Sequence, residues 1–288
     1  MMIKGLMELG VMVEPEAAKI LNKGDASRIT EKVAKMSPRP FSINIELAKQ
    51  LVIEPPLIKT IRKAEEMKSM SVPDFSAGYN ERYAALQKIL LKSPALANIV
   101  SINSAFGECC IIGMVKNSGK IIEDPSGEGE FVTDAKLLDG DVIGASGTAE
   151  GGIFRAKEII FPGVQLKERA GQSGAFTAGN SAGCQIRTNA TAFYDVNGCI
   201  AVTSGTDLPK AAQLLGWTEK EAAIELLKRK RLMSAPKDYL EPQPDFLIFN
   251  TSSDFVENCK GVIIIGVKEG STAEIDTGTR NARFLPSL

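Results

Sequence analysis

Histidine is missing altogether from the 288 residues. Imidazole changes charge near neutral pH and is the commonest metal ligand. Without it, Ser-His-Asp triads, Cys-His pairs and most catalytic zinc, manganese and iron sites are excluded. Cysteine is scarce too. The five are Cys109, Cys110, Cys184, Cys199 and Cys259, and none forms a CxxC pair, so no zinc knuckle is expected. Cys109 and Cys110 are neighbours, a strained geometry for a bridge, and read as small apolar strand residues in a reducing compartment. No apolar run approaches the length of a membrane span, and the opening MMIKGLMELG lacks the basic-then-apolar order of a signal peptide. A cytoplasmic protein with no membrane contact is the expectation. An excess of one charge is also lacking: 34 Lys and Arg stand against 35 Asp and Glu. That argues against a general nucleic-acid coat and against an acidic disordered chain, while leaving room for a local basic face.

The length allows two or three units with buried cores. The expected class is α+β, mainly β. Residues 1–50 read as small helices: Pro15 suits a first helical turn, and Ile29, Val33 and Met36 recur at helical spacing behind Asp25 as a possible N-cap. Residues 51–94 read as a polar connector, stiffened by Pro55-Pro56, followed by a helix from about 78 to 92. Tyr79, Tyr83, Leu86 and Leu90 form its apolar stripe. Residues 95–165 change to short strands and tight turns. NSGK (117–120) supplies one turn and Glu150-Gly151-Gly152 another, which suggests a small five-stranded barrel of OB type. Residues 166–288 mix strands with one clear helix, TEKEAAIELLKRKR. There Thr218 and Glu221 make a capping box, and DFLIFN and GVIIIGV are apolar β runs.

An OB-type barrel can hold single-stranded nucleic acid on aromatic platforms and a basic groove. The barrel aromatics are Phe106, Phe131, Phe154 and Phe161, and Lys116, Lys120, Arg155 and Lys157 are candidates for a basic face. Lys228, Arg229, Lys230 and Arg231 form a second basic cluster. It is read equally as a solvated helix end, where the macrodipole favours cations. A barrel used as a protein-binding module is as good a reading as one used for nucleic acid. The loop AGNSAG, residues 178–183, poses a different question. It stands after a strand, where catalytic side chains are often presented. Yet Ser181 and Ala182 neither hold a metal firmly nor relay a proton near neutral pH.

One family's pattern is similar over most of the chain. Met114-Val115 precedes the turn Glu123-Asp124-Pro125-Ser126-Gly127. The strand Asp141-Val142-Ile143-Gly144 follows, with Gly147, and then the exit Glu158-Ile159-Ile160-Phe161-Pro162. This ordered set resembles the OB domain of the small subunit of archaeal family-D DNA polymerase. MELGVMVEPEAAKIL is similar to that family's helical start and YNERYAALQKIL to the helix before its barrel. ELLKRKRLMSAP and PDFLIFNTSSDFVENCKG are similar to the closing part of its calcineurin-like phosphoesterase domain.

The resemblance implies a helical N-terminal region, an OB barrel and a truncated phosphoesterase remnant. Its departures imply lost activity. Active members hold two metal ions with an Asp-x-His strand end, a Gly-Asp block, a Gly-Asn-His-Asp loop, a later His and a Gly-His-x-His turn. Against that pattern the loop becomes Gly179-Asn180-Ser181-Ala182, and the later His-Gly becomes Ser204-Gly205. The final turn falls on Cys259-Lys260-Gly261-Val262, and the first two blocks are missing. Two divalent ions need oxygens and imidazoles to activate water. The expectation is therefore a DNA-replication scaffold with no catalytic residue, metal or cofactor of its own. It would bind the large catalytic subunit, and DNA through the complex. The alternatives are a stand-alone single-strand-binding OB protein and, further off, a metal-dependent 3′–5′ exonuclease that uses carboxylates alone.

Overall fold

The computed structural model describes residues 2–22, 26–52, 57–63, 71–166, 174–180, 183–232 and 239–286. They form two compact units, residues 1–56 with 173–176, and residues 57–172 with 177–288. In the first, helices α1 (Met2–Glu8), α2 (Pro15–Leu21), α3 (Ala26–Ala34) and α4 (Ile45–Val52) surround two short strands, β1 (Met12–Val13) and β2 (Ser42–Ile43). The strands pair in parallel, Met12 with Ser42. Pro15 opens α2 as expected, since its fixed φ suits the first turn and its missing N–H is one that a helix start leaves unpaired. Leu6, Val11, Leu21, Ile29, Val33, Ile43 and Leu51 share one buried core. The possible cap Asp25 lies outside the described residues.

In the second unit the segment read as a connector carries an element of structure. Residues Ile58–Lys63 form strand β3, paired antiparallel with β11 (Ala192–Val196), Ile58 opposite Val196. IKTIRK is short and mostly exposed, with Lys59, Thr60, Ile61 and Lys63 all outward, so no apolar alternation marks it as a strand. Arg62 fixes it from the side, with its guanidinium 4.1 Å from the Phe193 ring centroid and 5.2 Å from that of Tyr239. Helix α5 then runs Val72–Leu90, starting earlier than the expected 78. Ser71 is its N-cap, accepting the Asp74 N–H, and Pro73 falls in the first turn.

The strand region closes on itself. Strands β4 (Gly107–Lys116), β5 (Ile121–Asp124), β6 (Gly127–Val132), β7 (Val142–Glu150) and β8 (Ile153–Ile160) make a closed barrel in the order β4-β5-β6-β8-β7. The expected turns hold. Asn117, Ser118 and Gly119 take positive φ between β4 and β5, and Gly151 and Gly152 do so between β7 and β8. Gly147 sits at a bulge where β8 shifts register, and a Cβ there would overlap the Arg155 carbonyl oxygen, so this motif glycine answers to backbone packing. Ile111, Val115, Ile122, Phe131, Ile143 and Phe154 fill the interior. On the outside, Tyr83, Leu86 and Leu90 of α5 cover Cys110, Ile112, Met114 and Val142. The tyrosine stripe is thus packing surface, as its spacing suggested.

The rest of this unit is two sheets and two helices. A six-stranded sheet runs β14 (Phe255–Cys259), β15 (Val262–Lys268), β13 (Phe246–Thr251), β12 (Cys199–Ser204), β11 and β3. Strands β12, β13 and β15 are parallel, and Ser204, Phe249 and Gly266 lie in register. A four-stranded sheet runs β10 (Ile186–Arg187), β9 (Ala175–Gly179), β16 (Ser271–Asp276) and β17 (Asn281–Pro286). Helices α6 (Leu208–Leu215) and α7 (Glu219–Lys228) cover one face of the larger sheet. There Leu208, Ala222, Leu226 and Leu227 meet Val202, Leu247, Phe249 and Ile264. The opposite face, with Phe246, Ile248, Ile263, Ile265 and Val267, is buried as well. Arg280, in the β16–β17 turn, lies 5.4 Å over the Phe246 ring and bonds Asp245 at 3.2 Å. Burial on both faces matches the unbroken apolar run GVIIIGV.

Two outcomes follow. Thr218 caps α7 in a reciprocal box with Glu221, so Thr218→Ala should cost about 1 kcal/mol, read as a lower urea midpoint at unchanged slope. Tyr83 donates to the Ile112 carbonyl at 3.1 Å. Burial, and secondarily the Asp124 charge, push its phenol up to about 12 from 10.0. The folded state favours the protonated phenol. Its stabilising contribution is therefore complete below pH 10 and lost as pH rises through 12. Tyr83→Phe should flatten stability over that window in alkaline unfolding curves.

Candidate functional site

The carboxyl ends of parallel strands are where α/β sheets usually present ligand-binding side chains. Here Ser204 ends β12, and Asn250 lies near the end of β13, with Thr251 as its last residue. Asn180 follows directly after β9. The three elements bring neutral polar groups together. Asn180 Nδ2 donates to Asn250 Oδ1 at 3.1 Å, the Thr188 hydroxyl reaches Asn180 Oδ1 at 3.0 Å and also Asn250 Oδ1, and Asn250 Nδ2 returns to the Thr188 carbonyl at 2.9 Å. Beside them, Ser204 Oγ accepts the Thr206 N–H at 3.1 Å and Thr191 Oγ1 accepts the Gly205 N–H at 2.9 Å. Thr188, Ser204 and Thr191 are buried. Asn180, Thr188 and Asn250 thus form a neutral hydrogen-bond network.

That donor set does not fit a pair of divalent ions, which need carboxylates or imidazoles. Among the described residues no three Asp, Glu, Cys or His converge to hold a metal. Asp254, the nearby carboxylate, accepts the Lys268 N–H at 2.7 Å and the Ser271 hydroxyl at 2.8 Å and so braces a turn. Gly179 is needed for close approach. A Cβ there would stand 2.9 Å from the Ser271 carbonyl oxygen and 3.1 Å from Cys184 Sγ. Ser181 and Ala182 lie outside the described residues.

The remaining positions matched to the metal pattern fall elsewhere. Cys259 pairs with Val262 across a tight hairpin in which Lys260 and Gly261 both take positive φ. This hairpin is at the start of β15, beside Phe246 in register, whereas Ser204 lies beside Phe249 at the other end. Four residues of strand separate the two ends, on the order of 10 Å. Cys259, Lys260 and Val262 therefore do not join Asn180 and Ser204. Thr188 and Asn250 do join Asn180, and sequence reasoning missed both. The signal for Asn250 was its place at the end of the apolar run DFLIFN. Thr188 had none.

The basic candidates also separate. Lys116 pairs with Glu123 and Lys157 with Glu108, each at 2.5 Å. Lys120 and Arg155 are exposed. Of the barrel aromatics, Phe131 and Phe154 stack inside the core with centroids 6.0 Å apart, leaving Phe106 exposed. In the second cluster, Lys228 pairs with Glu225 at 2.7 Å. Arg229 and Lys230 are 2 % exposed, which removes them from any phosphate-binding face. Lys230 reaches Glu241 at 3.1 Å. Arg229 lies between the rings of Phe161 and Trp217, at 4.4 and 5.5 Å, and its guanidinium bonds Asp141 and the Lys136 carbonyl. Arg231 meets the other Asp141 oxygen at 3.1 Å. Asp141, buried at the foot of β7, also accepts the Leu138 N–H at 2.9 Å. The cluster is a clamp from the end of α7 onto the barrel.

Removing the carboxylate would leave the buried Arg229 with only the more distant Glu225, at 3.7 Å, and would take from the half-buried Arg231 its Asp141 partner. Asp141→Ala should therefore cost about 3–5 kcal/mol, whereas Lys157→Ala at an exposed pair should cost no more than about 1 kcal/mol. Chemical denaturation of the two variants checks the contrast.

No family model matches the chain. It is 32% identical over 117 residues to a protein of Methanothermobacter thermautotrophicus named DNA polymerase II small subunit, a match that takes in 33% of this chain and 24% of the relative. The chain thus spans about a quarter of that relative's length.

Proposed function

We infer that this chain is a non-catalytic small subunit of a family-D-type DNA polymerase. In this reading it carries the large catalytic subunit on an OB barrel joined to a degenerate phosphoesterase domain. The partial similarity to a polymerase small subunit supports the assignment to that class of protein. The barrel order β4-β5-β6-β8-β7 supports the OB assignment, since it is the five-stranded Greek-key arrangement. In this reading the domain limits are 1–50 helical, 51–94 connector and helix, 95–165 barrel and 166–288 phosphoesterase remnant, and β3 from the connector segment adds a strand to the larger sheet.

The observation that carries the loss of nuclease activity is the network of Asn180, Thr188 and Asn250 at the strand ends. A nuclease of this family needs ligands there that bind two cations. This chain has amides and a hydroxyl already paired with one another. A scaffold needs only that the strand ends stay packed, and the network does that.

Two measurements test the reading together. The purified chain, given manganese and a 3′-labelled oligonucleotide, should release no nucleotide, and affinity capture from its source cells should recover a polymerase large subunit. Manganese-dependent release that co-elutes with the chain, whether or not Asn180→Ala abolishes it, would refute the inactive assignment. Capture without any polymerase subunit would refute the scaffold.

A further inference from the structure

A groove of about 1020 Å³ runs between α5 and the barrel. Tyr79, Asn80, Tyr83, Ala84 and Gln87 line one wall, and Lys116, Glu123, Asp124 and Asp139 line the other. It lies within one compact unit, away from the strand-end network. We propose that this groove receives an extended, arginine-bearing segment of a partner protein.

The charge decides the occupant. Three carboxylates face one lysine, and that lysine is already paired with Glu123. Asp124 and Asp139 are fixed by backbone donors. Asp124 accepts from Ile102 at 2.9 Å and Ser126 at 2.7 Å, and Asp139 accepts from Ser118 at 2.5 Å. They cannot swing away, so their field is permanent. The upward push that Asp124 exerts on the Tyr83 phenol is that field felt by a neighbour. A phosphate backbone is repelled there and a cation is drawn in. Guanidinium suits the walls better than ammonium, since its plane stacks on tyrosine and forks onto a carboxylate. Arg82 already does the first within this molecule, lying 4.9 Å from the Tyr79 ring centroid. Asn80 on the exposed side of α5, and the carbonyl end of Gln87, offer partners to a peptide backbone. The volume is at the upper end of the small-molecule range, enough for several residues of extended chain.

The probe is a fluorescein-labelled nonapeptide of alternating alanine and arginine, titrated with the full chain and followed by anisotropy. The control carries citrulline for arginine, which keeps shape and removes charge. The arginine peptide should bind about ten-fold more tightly than the control. Ala84→Trp, at an exposed groove position, should weaken binding by a similar factor with an unchanged melting temperature, and Asn80→Lys should do the same through charge. Bound guanidinium should also lower the Tyr83 titration step. Equal binding of the two peptides, no binding, indifference to both substitutions, or displacement of the peptide by oligo(dT) from the same groove would each overturn the proposal. None of these outcomes bears on nuclease loss or on capture of a polymerase subunit, so the two readings fail separately.

Discussion

Asp141 is the point on which the larger unit turns. One buried carboxylate accepts from two arginines that arrive from 88 and 90 residues away in sequence. The residue before it, Gly140, takes positive φ, and its carbonyl oxygen accepts from the Arg82 guanidinium of α5 at 2.7 Å. The loop ahead of β7 is thus gripped from both sides, by α5 and by the end of α7. A Cβ on Gly140 would stand 2.5 Å from the Arg82 guanidinium, so the grip requires glycine there. Buried ion pairs add little net stability against an apolar alternative. Their directionality fixes which surface of the barrel meets which end of the helix, and Phe161 and Trp217 complete the socket around Arg229.

The same clamp shows what sequence could and could not deliver. KRKR after a helix reads as a basic patch, because the sequence gives the charges and not their counter-charges. The partner is Asp141, a motif residue whose role in the strand pattern gave no hint of burial between two guanidinium groups. Local features fared differently. The capping box at Thr218, the glycine turns of the barrel, the tyrosine stripe of α5 and the buried strand GVIIIGV were all legible, since each depends on neighbours a few residues away. Strand β3 was not, because a six-residue strand with charged outward positions resembles a linker until its partner β11 is known.

β3 also bears on how the two-sheet arrangement stays folded. Without β3, β11 would be an open edge with its ladder groups unpaired. β3 takes that edge from a segment upstream of the barrel, and the exposed Lys59 and Lys63 blunt its own outer side. The inner face of the larger sheet is covered as well, with Ile263, Ile265 and Phe246 buried and the β16–β17 turn reaching over Phe246. The sheet is thus completed from within the chain, and exposed inner faces are not what calls for a partner.

The strand-end network and the acidic groove then divide the work between them. At the strand ends, amide meets amide and hydroxyl meets carbonyl, so no charge remains to attract a cation and the backbone stays tightly packed through Gly179. In the groove the charges persist because backbone N–H groups, rather than cations, hold two of the three carboxylates. A site whose charges are fixed but unneutralised still has free energy to give a partner. Recognition of a charged partner by this chain is therefore better sought beside α5, where electrostatic potential remains, than at the neutral strand ends.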